Sequence, residues 1–286
     1  MESQTVNAAE FRDKQRESWN IGASGWRRRS ELIDRFTGGI NDRLVELAGV
    51  EPGNRVLDVA AGYGEPSLTA ARVVGPGGRV VSTDISPEMQ AYGRERAASA
   101  GLDNVEFVES DAISLDFPPQ SFDAALSRFG IIFEPDGEGA AARIRGFIKP
   151  SGRMAIASWG PPDRVPFLAM SMGTVMRRLE VPPPPPGTPG PLSRPTPEAI
   201  SGLLSGGGFG DVEVEEAEVT FEWESPEDYT LFVKDTAPPI TAMMQSHPQE
   251  VQQETWAAIT DAVREHADGD GRVEMTNLVL LAAGRA

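Results

Sequence analysis

A chain of 286 residues has room for one large domain, or for a core domain with a modest insertion. Its formal net charge of −17 disfavours nucleic acid, whose phosphates are held by neutralising Lys and Arg; the one basic run, Arg27 to Arg29, reads as a solvated helix face. The absence of cysteine removes disulfides and thiolate chemistry, and with only His247 and His266 as imidazoles no metal site is expected.

The N-terminus, Met1 to Trp19, is polar and charged, unlike the apolar region of a secretory signal. The longest apolar run, around Leu278 to Ala283, falls well short of the roughly 20 residues of a membrane helix. No membrane partner is expected, and the reading is a cytoplasmic enzyme or binding protein.

Taken in chain order, Val6 to Leu47 has a helical apolar pattern, which Gly22 and Gly25 should break into two or more shorter helices. From Arg55 short apolar runs alternate with amphipathic stretches, the mark of βαβ units and a parallel sheet. The predicted strands are Arg55 to Ala60, Arg79 to Thr83, Val105 to Glu109, Phe122 to Ser127 and Arg153 to Trp159. Helices are predicted over about Pro66 to Val74, Pro87 to Ala100 and Gly139 to Ile148. After Trp159 the rhythm breaks. A helix over Val165 to Leu179 precedes a proline-glycine tract, Pro182 to Pro191, which reads as a surface linker or as a loop bordering the site. Thr196 caps a further helix to Ser205; helical patches at Pro226 to Lys234 and Gln249 to Glu265 lie between two last strands, Val212 to Trp223 and Val273 to Ala283.

The segment from Val56 to Pro66 carries the chemistry. An apolar strand runs into a turn where Ala60, Ala61, Gly62 and Gly64 admit a ligand close to the backbone, and a helix N-terminus follows. Nicotinamide and flavin enzymes use the same device, but here Asp58 sits at the strand end. A carboxylate there would repel a pyrophosphate and suit the ammonium of an aminoacyl ligand. Asp84, 22 positions after Gly62, can accept from both hydroxyls of a ribose. It could also cap the next helix, although Ser86 is better placed to do so. Asp111, just past the third strand, can accept from an adenine amine while the N–H of Ala112 faces the ring; alone it would read as a turn residue.

Five pieces in order, VLDVAAGYGEPSL, VVSTDISPEMQ, VEFVESDA, FDAALSRFGIIFEPD and IKPSGRMAIASWG, resemble class I S-adenosylmethionine-dependent methyltransferases. The likeness is greatest to the ubiquinone/menaquinone C-methyltransferase-like group, and it spans about Glu51 to Gly160. It implies an α/β, Rossmann-like, seven-stranded, mostly parallel sheet with helices on both faces and a reversed last hairpin. It further implies S-adenosylmethionine as cofactor, with Ala60, Gly62 and Gly64 beside its methionine part. Asp84 would hold the ribose, Ile85 and Met89 would pack on adenine, and Asp111 with Ala112 would read the adenine edge. Ser127 and Phe129 would border the sulfonium and the acceptor. Two departures stand out: Ala60 replaces a frequent glycine, and Ser127-Arg128-Phe129-Gly130 replaces the Asn-Pro-Pro-Tyr of nucleobase amino-methylating enzymes. Beyond Gly160 the likeness is limited to WGPPDRVPF and SPEDY.

The expected organisation is an N-terminal helical cap (1–50), the cofactor-binding core (51–160), a lid inserted after strand five (161–197) and the rest of the sheet (198–286). Trp19 and Trp26 with the lid should close over the strand ends. Phe129, Trp159 and Trp26 are the candidate acceptor residues, with Ile131 to Phe133 either beside them or continuing into the core. An apolar or aromatic small-molecule acceptor, methylated at carbon or oxygen, follows from that lining. Two other readings stay open: a homologue that binds the same cofactor for a reaction other than methyl transfer, and a dinucleotide-dependent oxidoreductase. No catalytic base is assigned; His247 is the first candidate by pKa, but its Gln-Ser-His-Pro context is that of a loop. The sequence assigns no oligomeric state.

Overall fold

Strands that are apolar almost throughout can bury both faces only inside a layered sheet. In the computed structural model, which describes residues 7–185 and 187–286, this is how the central segment folds. Strands β1 (Arg55–Val59), β2 (Arg79–Asp84), β3 (Val105–Glu109), β4 (Phe122–Arg128) and β5 (Ile148–Trp159) run parallel. With β6 (Gly210–Trp223) and β7 (Val273–Arg285) they form a seven-stranded sheet ordered β3-β2-β1-β4-β5-β7-β6, in which β7 is antiparallel to both neighbours. Residues 1–6 of the expected N-terminal cap and Pro186 of the proline tract lie outside the described residues.

Helices α2 (Ser67–Val74), α3 (Pro87–Ser99) and α4 (Gly137–Phe147) are crossovers between strands; α5 (Pro166–Arg178) and α6 (Pro197–Gly206) follow β5. Between β6 and β7 lie α7 (Pro226–Thr236), α8 (Pro238–Gln245) and α9 (Gln249–Arg264); α8 is an addition to the sequence-based elements. Alternate strand residues serve opposite faces. Val56, Val80, Leu126 and Ala155 pack with α1 (Ala8–Leu47), α2, α7 and α9, whereas Leu57, Val59, Val81 and Ile156 pack with α4 and α6. Hydroxyl caps start the helices as their sequence suggests: Ser86 Oγ accepts from Met89 N at 3.2 Å, and Thr196 Oγ1 from Ala199 N at 3.2 Å.

The N-terminal segment corrects the expectation of several short helices. Helix α1 runs unbroken for 40 residues. A Cβ on Gly25 would stand 1.9 Å from the carbonyl oxygen of Asp235, and one on Gly22 would stand 2.4 Å from Pro238 Cγ. These glycines therefore admit α7 and α8 to the surface of α1 and do not end it. The basic run is not a free face either: Arg29 pairs with Asp235 at 2.8 Å and Asp228 at 2.9 Å. The second half of α1 buries Ile33, Phe36, Ile40 and Leu44 in the same cluster as the central strands. Its packing is continuous with the sheet.

Candidate functional site

In the sheet order the chain reverses direction at β1, whose two neighbours are β2 and β4. In open α/β sheets a ligand crevice forms outside the carboxyl ends of the strands at such a point. Here that crevice is a cavity of about 280 Å³. The turns after β1, β2, β3 and β4 form its floor, and α1, α5, α7 and α8 close over it.

The floor is tied together by Asp84. Its Oδ2 accepts from Gly62 N and its Oδ1 from Ser86 N, both at 2.8 Å, so one carboxylate fixes the turns after β1 and β2. Burial pushes this carboxyl up to about 6. Each oxygen keeps a second lone pair, and Asp84 still lines the cavity. Ile85 and Met89 line it beside Asp84, while Ser110, Asp111 and Ala112 stand across from them at the end of β3. Asp111 Oδ1 accepts from Ser114 N at 2.7 Å, so the turn role coexists with its place in the wall. An acidic pair around two apolar side chains fits the hydroxyls, amine and flat ring of an adenosyl group.

The turns after β1 and β4 meet closely. Ala60 (φ 57°) and Phe129 (φ 56°) both hold left-handed backbone, sparse for residues with a Cβ, and such strain gathers at functional sites. A Cβ on Gly130 would lie 2.5 Å from Ala60 Cβ, so glycine there lets the two turns touch. Ala60 and Gly62 line the cavity.

Three expected residues stand behind this wall. Ser127 Oγ donates to Val59 O at 2.8 Å and accepts from Ile131 N at 3.0 Å, stitching β1 to the turn after β4. Gly64 packs against Gly93 and Leu68. Asp58 is fully buried; its Oδ2 accepts from Ser67 Oγ at 2.6 Å, and Oδ1 has no partner. Asp58 therefore does not reach a ligand ammonium directly.

Burial pushes the Asp58 carboxyl from 3.8 up to about 7. Between these values the folded chain keeps a proton that the unfolded chain has released. Its contribution to stability is therefore complete below 3.8 and is lost as pH rises through 7. Asp58→Asn, which cannot ionise, should gain stability over the parent between pH 4 and pH 8, by up to about 4 kcal/mol. Urea unfolding at both pH values measures this, and a pH-independent difference would place the Asp58 carboxyl outside the buried environment described here.

Aromatic rings make the opposite half of the cavity. Phe129 stacks on Trp159 with centroids 4.2 Å apart and planes 1° from parallel; Trp159 meets Phe167 of α5 edge-on at 4.8 Å. From α1, Trp19 meets Phe133 at 5.5 Å, and Trp26 donates to Thr236 O at 3.0 Å. The three candidate acceptor residues, Phe129, Trp159 and Trp26, all line the cavity, with Trp26 set against Trp19 and Tyr63 and apart from the stacked pair. Ile131 and Phe133 line the cavity too, whereas Ile132 lies outside its lining.

The proline tract borders this half. Pro191 lines it, and Ser193 Oγ and Gly190 N both donate to Ile132 O, at 2.8 and 3.3 Å. At the rim Arg12 of α1 reaches Glu134, with Nε 2.9 Å from Oε2.

Sequence reasoning missed the contribution of α7 and α8, including Phe232, Thr236 and Ile240, because no local pattern links them to the strand ends. It also missed Arg128, although a charged residue closing an apolar strand was a readable signal. His247 is not among the residues lining the cavity. Among the described residues no cluster suited to a metal ion occurs, and no helix is long and apolar enough to cross a membrane.

Residues 56–152 match the family model described as a methyltransferase domain. Over 144 residues the chain is 40% identical to the ubiquinone/menaquinone biosynthesis C-methyltransferase UbiE of Ectopseudomonas mendocina, covering 48% of this chain and 56% of that relative. The chain thus spans little more than half of that relative's length. The chain superposes on the YcgJ protein of Bacillus subtilis with TM-score 0.54 at 18% identity, covering 86% and 97% of the two chains. It superposes on the (4+2)-cyclase SpnF with TM-score 0.54 at 18% identity, covering 94% and 96%. Residues 56–152 are thus similar to a methyltransferase domain, and the sheet is the α/β, Rossmann-like sheet expected from the sequence. Over about half of the chain its sequence is similar to the UbiE C-methyltransferases.

Proposed function

We propose that this chain is an enzyme transferring a methyl group from S-adenosylmethionine to carbon or oxygen of a small aromatic or apolar acceptor. The observation that carries this reading is one continuous cavity with two unlike halves. One half holds Asp84, Ile85, Met89 and Asp111; the other holds Phe129, Trp159 and Phe167. The cofactor brings a sulfonium methyl that is already activated toward a nucleophile. Asp84 and Asp111 would hold the nucleoside end, and Ala60 and Phe129 would border the methyl end. The stacked pair Phe129–Trp159 gives a flat acceptor a surface to lie on, and α1 with α5 excludes water. Alignment of this kind supplies roughly 7–11 kcal/mol of a displacement barrier. Histidine, lysine and cysteine are absent from the lining, and Glu134 is held by Arg12. We therefore assign no general base to the transfer.

The acidic exterior and aromatic interior favour a small organic acceptor over a polyanion. Incubation with methyl-tritiated cofactor and a metabolite extract should place label in organic-extractable product and not in acid-precipitable polymer. Label in tRNA or protein would overturn the small-molecule reading. A cavity that binds S-adenosylhomocysteine while no acceptor becomes labelled would favour a reaction without methyl transfer.

A further inference from the structure

One charged side chain in the cavity wall has no task in the reading above. Arg128 closes β4, is 9% exposed and lines the cavity. On one side lies Tyr63 of the turn after β1; on the other Phe129 begins the aromatic half. Its Nη1 donates to Thr37 Oγ1 at 2.7 Å and Asn41 Oδ1 at 2.8 Å, and its Nη2 donates to Tyr63 Oη at 3.3 Å. All three acceptors are neutral.

No carboxylate forms an ion pair with Arg128 among the described residues. The nearby acids are engaged elsewhere. Asp34 accepts from Tyr63 Oη and pairs with Arg96, while Glu65 Oε2 accepts from Thr69 N and Oγ1. Asp84 is held by Gly62 and Ser86. A guanidinium withdrawn from water is costly to leave without a counter-charge. It also has five N–H donors, of which three are used here. The remaining two are Nε–H and one Nη2–H. Nε and Nη2 share one edge of the planar group, and an edge of that kind matches the two oxygens of a carboxylate.

We propose that Arg128 is a carboxylate receptor: its free Nε/Nη2 edge takes the carboxylate of a molecule bound in this cavity. Thr37, Asn41 and Tyr63 hold the rest of the guanidinium still, so the edge is presented in advance. The chemistry is that of a carboxylate, and two sources present one in this cavity. One is the aminoacyl end of the adenosyl ligand, which rests on the methyl-transfer reading. The other is an acidic acceptor lying on Phe129 and Trp159.

Calorimetry with two matched pairs separates the sources. The first pair is S-adenosylhomocysteine against its carboxamide. The second is 2-naphthoate against 2-naphthamide, titrated with and without S-adenosylhomocysteine. The parent protein should prefer the carboxylate of one pair by roughly 10- to 100-fold, the range of hydrogen bonds to charged groups. Arg128→Met should erase that preference while leaving amide binding in place, and the pair that responds names the source. Arg128→Lys keeps the charge without the two-donor edge and should retain only part of the preference; this variant decides the matter should the methionine variant not fold. Equal binding of acid and amide in both pairs by the parent protein would overturn the proposal, as would a preference that survives in Arg128→Met. Should neither adenosyl ligand bind, the methyl-transfer reading fails, while the naphthalene pair still tests Arg128.

Discussion

Alanine at Gly25 should cost the protein about 2 kcal/mol or more. The added Cβ would lie 1.9 Å from the Asp235 carbonyl oxygen and 2.6 Å from its carbon, and both belong to a helix backbone that no rotamer change can move. Overpacking typically costs about 1–3 kcal/mol, offset here by the roughly 1 kcal/mol that alanine gains over glycine inside a helix. The obstruction is backbone, so the upper part of that range applies. Helix α1 would have to lift from α7, breaking the Trp26–Thr236 hydrogen bond and the Arg29–Asp235 pair. Urea unfolding of Gly25→Ala beside Gly39→Ala gives the comparison. Gly39 lies in the same helix with nothing within 4 Å of its Cβ position, so alanine there should be neutral or stabilising. Equal stability of the two variants would mean that α1 and α7 do not meet at Gly25.

Asp84→Ala should weaken S-adenosylhomocysteine binding by about 1.5–3 kcal/mol, the worth of hydrogen bonds to a charged acceptor. Two losses combine. The ribose hydroxyls lose their acceptor, and Gly62 N and Ser86 N lose the carboxylate that fixes their turns. Calorimetry reads the effect, and the same protein titrated with NADH serves as the contrast. Tight NADH binding without response to S-adenosylhomocysteine would return the dinucleotide reading to first place. An Asp84→Ala variant with full affinity would take Asp84 out of the ribose contact.

Legibility in the sequence followed the range of the forces at work. The central strands were readable because both of their faces are buried, which leaves an apolar run with sharp ends at Asp84 or Gly62. The floor of the cavity is equally local: Gly62, Asp84 and Asp111 each stand at the end of a strand, and sheet order then brings them together. What covers that floor is set by contacts between distant segments. Gly22 and Gly25 looked like helix breaks because their reason for being glycine lies about 210 residues away in α7 and α8. The same distance hid Phe232 and Ile240 from the expected acceptor wall. Asp58 was read as facing the ligand, yet one turn of packing behind Ser67 seals it away. Only the side-chain direction decides that, and composition carries no record of it.

The aromatic wall also makes the cavity observable by light. Trp19, Trp26 and Trp159 line it, three of the five indoles in the chain, and one of them lies flat on Phe129 at 4.2 Å. Indole emission follows the polarity and mobility of its immediate surroundings, so a ligand that displaces water from this chamber alters most of the chain's intrinsic signal. Trp223 and Trp256 stand outside the lining and supply a steady background. Filling of the chamber can thus be followed in real time, on unlabelled protein, before any product has been identified.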